Sequence, residues 1–363
     1  MIRLHIGPPK SGSTTIQQIL WTHRADLLDR GVLYPDPARP PFHLEEYYDF
    51  LRHAQVPLTP LAPAAARYFE SNPQRRVGSW KRLLDRVRDH AGPSIISFEN
   101  LASLTDDLVA EWVAHLPSRH VEAVMVARPA SQLIASAYQE MAKRQTLLPF
   151  GDFVEQSVLQ LLANEPTPVD FINHRHTVRR WQATGVDVRI VGAPNGLSEN
   201  VLRQTLAVLA PEASDLRIDI PRANPGMSAL GVHVYSRHLA AHPAKYTGAS
   251  LAVMARMWER YPNTRDTRRG GRLRLRPEFA HLLDRFCSAD VEDVPSAQDV
   301  LAAGREGMVE PVQWEPFDID AALHRMRRWQ IAEDVRWLAM SAVSRAIGRG
   351  PLQRSVTADA DSG

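Results

Sequence analysis

An α/β fold built on a mostly parallel sheet is what this sequence predicts, and two observations predict it. Short apolar runs of strand length alternate along the chain with segments of helical periodicity, the order that lays parallel strands side by side and covers both faces of the sheet with helices. The first run, Ile2 to Ile6, ends at Gly7 and passes through a glycine loop into a helical stretch with Ile16, Ile19, Leu20 and Leu27 on one face.

The further strands follow from the same reasoning. Ser94 to Phe98 (SIISF), Val121 to Ala127 (VEAVMVA) and Val186 to Val191 (VDVRIV) are apolar enough to be buried on both faces, with helical patterns between them. Residues 35–65 are proline-rich and interrupted, which predicts a long excursion over the sheet edge with one short helix at Leu44 to Arg52. Long loops in compact domains often cover active sites. Between Pro221 and Arg276 the pattern gives helices around Leu230 to Leu239 and Leu251 to Arg260, then an arginine-rich loop from Arg265. Ile319 to Ile347 is one long amphipathic pattern with Asp318 or Asp320 available as its cap, and the final stretch from Gly350 lacks aromatics and is expected to be disordered. The expected organisation is an α/β domain over residues 1–310, a helical C-terminal extension over 311–349 and a tail over 350–363.

Charge and cysteine content exclude several classes. With 43 Lys and Arg against 41 Asp and Glu the net charge is +2, too balanced for a protein that grips a nucleic-acid backbone, so basic groups must act locally. The single cysteine, Cys287, excludes an intramolecular disulfide and a multi-cysteine metal site. No run approaches the roughly 18 apolar residues of a spanning helix, and the N-terminus lacks the basic-then-apolar layout of a signal peptide, so a cytoplasmic protein is expected.

The chemistry concentrates in Gly7 to Thr15, GPPKSGSTT. Its glycines have the GxxxxG spacing of a P-loop, yet the position after the second glycine, where a nucleotide triphosphatase carries lysine, is Ser13; the lysine lies inside the loop as Lys10. A loop from a strand end to a helix N-terminus offers backbone N–H groups and a helix dipole to an anion, and Ser11, Ser13, Thr14 and Thr15 add hydroxyls. An ammonium within the loop is suited to neutralising a leaving group. A second anion site is expected where Arg128 closes the run Val121 to Ala127, with Ser136 eight residues further on in the next helix.

Pro9-Lys10-Ser11-Gly12-Ser13-Thr14 resembles the 5′-phosphosulfate loop of the sulfotransferases that use 3′-phosphoadenosine 5′-phosphosulfate (PAPS), and Arg128 with Ser136 is similar to that family's 3′-phosphate motif. A looser likeness to bacterial members acting on glycans or other small acceptors runs through GVLYP (31–35), SFENL (97–101), Trp181 and RANPGMS (222–228). The resemblance implies a P-loop-containing α/β fold, PAPS as cosubstrate, no metal requirement and a carbohydrate or other small-molecule hydroxyl or amine as acceptor. It also implies that Pro9 to Thr15, Arg128 and Ser136 bind the cosubstrate, with Arg269 and Gly270 (in RRGGR, 268–272) nearest to the segment that closes over the 3′-phosphate in cytosolic members. Thr15 stands where those members often carry tryptophan, so adenine stacking must come from elsewhere.

An acceptor hydroxyl needs a base. Glu99 directly follows SIISF at a strand's carboxyl end, where open α/β sheets bind ligands, and some glycan sulfotransferases of this resemblance use a glutamate; a helix cap or an arginine pair would also account for it. His43 (PPFHLEE) could swing over the site from the excursion. His5 is expected to pack beside the loop, and His174 and His176, two apart, fall on different helix faces and offer no metal spacing. The C-terminal helix presents Ile331, Val335, Leu338 and Ala342 with Trp329, Trp337 and several arginines, a pattern that fits an anionic inner-membrane surface or, more commonly, packing on its own domain or in a homodimer. Two rivals stay open: a kinase-like phosphoryl transferase, which would need magnesium and a lysine after Gly12, and a non-catalytic nucleotide-binding partner working at a membrane through that helix.

Overall fold

The computed structural model describes residues 1–38, 43–55, 78–118, 120–142, 148–165, 169–196, 198–216, 273–289, 292–305 and 307–310, with Pro40, Thr167 and Val232. The chain divides into two compact units, and the elements below belong to the first, Met1–Gly226 with Leu273–Pro311. The helix expected near the C-terminus, the expected tail, the helices expected between Pro221 and Arg260 apart from Val232, RANPGMS, Arg269 and Gly270 lie outside the described residues.

Strand β1 (Ile2–His5) leads through the glycine loop into helices α1 (Ser13–Thr22) and α2 (Arg24–Asp29). Helices α3 (Leu44–His53) and α4 (Ser79–Asp89) precede β2 (Ser94–Ser97), and α5 (Asp106–His115) precedes β3 (Val121–Ala127). Next come α6 (Ala130–Ala142), α7 (Phe150–Leu162), α8 (His174–Gln182), β4 (Asp187–Gly192) and α9 (Glu199–Leu209), and then α10 (Pro277–Cys287) and α11 (Ala297–Gly304). All four strands pair in parallel in the order β2-β1-β3-β4.

Period-two alternation splits the apolar residues between two cores. Ile2, Leu4, Ile96, Ala123 and Met125 face the side covered by α3, α4, α5 and α8, where Phe50, Trp80, Trp112 and Trp181 are buried. Ile95, Val124 and Val126 face the side covered by α1, α2 and α9. Residues 3 and 5 of β1 are polar, yet both are buried. Arg3 makes a two-pronged bond to Glu212, 2.7 Å on each arm, and donates to the Leu209 carbonyl, while His5 lies under the glycine loop.

Strand order positions the site. From β1 the chain goes to β2 on one side, and from β3 it goes to β4 on the other. The loops leaving the adjacent β1 and β3 therefore part at their carboxyl ends, the place where open α/β sheets bind ligands. Register adds a ledge: His5 of β1 aligns with Val124, so β3 runs three residues further before it delivers Arg128 above the loop.

Candidate active site

The glycine loop is held in a shape that its residues explain. Lys10 and Gly12 both have positive φ, 68° and 96°. Glycine adopts this conformation freely, whereas at Lys10 it costs about 1–2 kcal/mol. Ser11 offsets part of that cost by donating from its backbone N (3.2 Å) and its Oγ (2.6 Å) to the Pro8 carbonyl. The Arg128 guanidinium, from the end of β3, donates through Nη1 to the Lys10 carbonyl. Gly7 must be glycine, because a Cβ there would stand 2.8 Å from His5 Nε2 and 3.1 Å from Ser11 Oγ. Among the described residues no side chain caps α1, and no acidic residue occupies its first turn. The positive end of a ten-residue helix thus opens into a loop that carries a lysine and several hydroxyls.

The residues expected to bind an anion fall into two groups. Ser11 and Ser13 are buried and face inward on the Pro8 carbonyl, so they shape the loop, whereas Thr14 is exposed and Pro9, Lys10 and Thr15 are half-buried at its rim. Arg128 is brought to the loop, and Ser136 lies half-buried on α6. Gly196, in the turn after β4, runs beside the Arg128 guanidinium.

Two residues of this arrangement escaped the sequence reading. Gln132 accepts from Arg128 Nη2 at 3.2 Å and donates to the Pro194 carbonyl at 2.8 Å. Glu140 accepts a 2.8 Å ion pair from Lys10 Nζ, with both side chains about one-quarter to one-third exposed. Arg128, Gln132, Ser136 and Glu140 recur every four residues, a stripe beginning just before α6 whose two ends, Arg128 and Glu140, bond to Lys10 of the loop. That spacing was the available signal. The stripe is anchored from outside as well: Asp284 of α10 accepts from the Ser131 backbone N at 2.7 Å and from its hydroxyl at 2.8 Å, which caps the first turn of α6.

Beneath the loop lies a buried polar cluster. His5 is fully buried, its Nδ1 2.7 Å from Ser97 Oγ, and its Nε2 has no hydrogen-bond partner among the described residues. Burial pushes its pKa down to about 4, so the ring under the loop is neutral. Gln17 of α1 donates to the Ser97 carbonyl at 3.0 Å and ties the helix start to the end of β2.

The two candidate bases receive different settings. Glu99 is half-buried and opens a 3₁₀ turn, Glu99–Ser103, immediately past β2. Phe98 donates to the His5 carbonyl at 3.0 Å, which keeps Glu99 at the same sheet end as Gly7. His43, expected to swing over the site from a loop, instead stands at the start of α3 and is 1% exposed. Its Nε2 donates to the Pro35 carbonyl at 3.0 Å, which leaves Nδ1 to accept from the Ser97 N–H at 3.4 Å. Burial lowers its pKa to about 4, and Tyr34 packs edge-on against the ring. Apolar packing has made this histidine a staple for the strand-like segment before it.

Glu46 holds the same segment, accepting from the Ala38 N–H at 2.6 Å, while its other carboxylate oxygen is buried with no hydrogen-bond partner among the described residues. Burial pushes this carboxyl up to about 7. The folded chain therefore binds more protons than the unfolded one between roughly pH 4.5 and 7, and stability falls as pH rises through that window, then levels off. Glu46→Gln is expected to remove this slope and to raise Tm at pH 8 more than at pH 5, the full effect being up to about 3 kcal/mol. Thermal unfolding at the two pH values checks it, and an equal change at both would show that the buried charge is not the cause.

No protein-family model matches the chain, and the curated proteins contain no match. Among solved structures, the chain is similar to a sulfotransferase from Alicyclobacillus acidocaldarius, with 14% identity over 61% of this chain and 85% of that one and a TM-score of 0.36. It is also similar to the sulfotransferase domain from the curacin biosynthetic pathway, with 11% identity over 84% and 96% of the two chains and a TM-score of 0.32.

Proposed function

We propose that this protein transfers a sulfuryl group from PAPS to a hydroxyl or amine of a small acceptor, a carbohydrate or glycolipid being the class the sequence motifs favour. One observation carries the reading: Arg128 reaches from the end of β3 to the carbonyl of Lys10, so two cations from two strand ends share one edge beside an uncapped helix N-terminus. A ligand with phosphates at both ends of a nucleoside fits that pair of charges better than a single terminal phosphate does. The tight cradle over Gly7 and the absence of a lysine at Ser13 point the same way.

The cosubstrate supplies the sulfuryl group and the phosphate that leaves it. In this reading Lys10 Nζ turns from Glu140 to the oxygen that bridges sulfur and phosphorus and neutralises charge there as that bond breaks. Arg128 and Ser136 hold the 3′-phosphate. Glu99 takes the proton of the acceptor hydroxyl as its oxygen bonds to sulfur. Glu140 then has a defined role, since its carboxylate occupies the lysine until a more highly charged anion displaces it.

Calorimetry with 3′-phosphoadenosine 5′-phosphate is the test. Binding is expected to persist in excess chelator, to weaken for the analogue without the 3′-phosphate, and to weaken by roughly 1.5–3 kcal/mol in Arg128→Ala, the worth of a charge-assisted hydrogen bond. Affinity that disappears with chelator would favour a magnesium-dependent phosphoryl transferase, and equal binding of the two analogues by the wild type would sink the role of Arg128.

A further inference from the structure

We infer that His53, Glu111 and His115 form a binding site for a borderline divalent cation, zinc foremost, that clamps the last turn of α3 to the last turn of α5. Among the described residues this is the one group of three His, Cys, Asp or Glu side chains placed to hold a metal, with one ligand atom of each lying within 4.8 Å of the others. The two histidine Nε2 atoms stand 3.2 Å apart. Two imidazoles on a tetrahedral zinc, with Zn–N bonds near 2.0–2.1 Å, have their nitrogens roughly 3.3 Å apart. The histidine pair is thus already at ligand spacing, and Glu111 offers a carboxylate oxygen within 4.8 Å of both, a three-residue set with one position left for water.

Tautomer and field support the assignment. His115 Nδ1 lies 2.8 Å from the Glu111 carbonyl, which can only accept, so Nδ1 carries the proton and Nε2 presents its lone pair to His53. A carbonyl accepting from the other ring nitrogen in this way fixes the tautomer and orientation of metal-bound histidines elsewhere. Glu111 and His115 are four apart on α5 and share a face. Both histidines end their helices, where the negative ends of two dipoles favour a cation. The rings are held edge to face, 5.0 Å between centroids, and His115 packs near Phe50 in the aromatic contact between α3 and α5. Neutral imidazoles with a carboxylate suit zinc, copper or nickel rather than magnesium or calcium. His53 and His43 sit at opposite ends of α3, about 15 Å apart at the helical rise, so the ion would brace the helix whose other end holds the segment from Tyr34 to Ala38.

Titration of the untagged, full-length, metal-free protein with zinc sulfate at pH 7.5 is expected to show one equivalent bound and a raised Tm. Cobalt in place of zinc should give the intense visible bands of a four-coordinate site. His53→Asn, at an exposed helix end where folding is not at stake, is expected to weaken zinc binding by more than about a hundredfold, beyond the roughly 10- to 100-fold loss usual when a group that only orients a ligand is changed. It should also abolish the Tm shift and the cobalt bands. Zinc binding unchanged by His53→Asn, or no stoichiometric binding by the wild type, would overturn the site whatever the fate of the sulfuryl-transfer reading.

Discussion

Lys10→Ala is expected to lower turnover by roughly 10²- to 10³-fold, the loss seen when one preorganised donor to a developing negative charge is removed, while affinity for 3′-phosphoadenosine 5′-phosphate changes far less. The reasoning starts from the loop. Lys10 holds a positive φ that alanine shares, and Arg128 binds its backbone carbonyl, so the substitution removes the ammonium and leaves the anchoring of the loop in place. Glu140→Gln supplies the opposite arm. Because Glu140 holds Lys10 Nζ at 2.8 Å, removing its charge frees the lysine and is expected to tighten cosubstrate binding. Single-turnover rates and calorimetry on the same preparations separate the two effects. Loss of affinity in Lys10→Ala with turnover per bound complex unchanged would make Lys10 a clamp and leave the leaving group without its cation.

Glu99→Gln keeps shape and removes basicity, and is expected to cost about 10²- to 10⁴-fold in turnover, the usual contribution of a general base, with cosubstrate binding nearly intact. Position motivates this: Glu99 opens the turn after β2, and β2 is paired to β1 so that the residues past Ser97 stand beside the start of the glycine loop. The competing role, a charge at the first turn of a short 3₁₀ segment, predicts lower thermal stability with turnover per folded molecule kept. Melting temperature and turnover measured together distinguish the roles, and near-normal turnover at unchanged stability would remove Glu99 from the reaction.

Local chemistry made the elements and the anion loop legible from sequence. Apolar runs of four to seven residues placed β1 to β4 to within a residue or two, because a strand buried on both faces, as β1 to β3 are, admits few alternatives; β4, expected to be buried likewise, is instead a largely exposed edge strand. The short helix expected at Leu44 to Arg52 is α3, Leu44–His53. The loop was readable in part, since GPPKSGSTT between a strand and a helix carries glycine at one left-handed position, Gly12, while the left-handed turn at Lys10 has no glycine to mark it. Of the histidines, His5 packs beside the loop as expected, but His43 was read less well. His43 follows prolines and phenylalanine, which suggested a mobile loop, but a neutral imidazole satisfies two backbone groups at once, and packing against Tyr34 and the end of β2 consumed both its nitrogens.

By itself, then, the sequence determined the strands, the strand-loop-helix unit and the presence of Lys10 and Arg128 at strand ends, because each depends on residues within a few positions of one another. Tertiary structure alone decided which strands are neighbours, and with that the sharing of one edge by Arg128 and Lys10, the pairing of Lys10 with Glu140 130 residues away, and the meeting of His53 with His115. Such contacts are fixed by the burial of two apolar faces on one sheet, a collective property of the chain that no local spacing encodes.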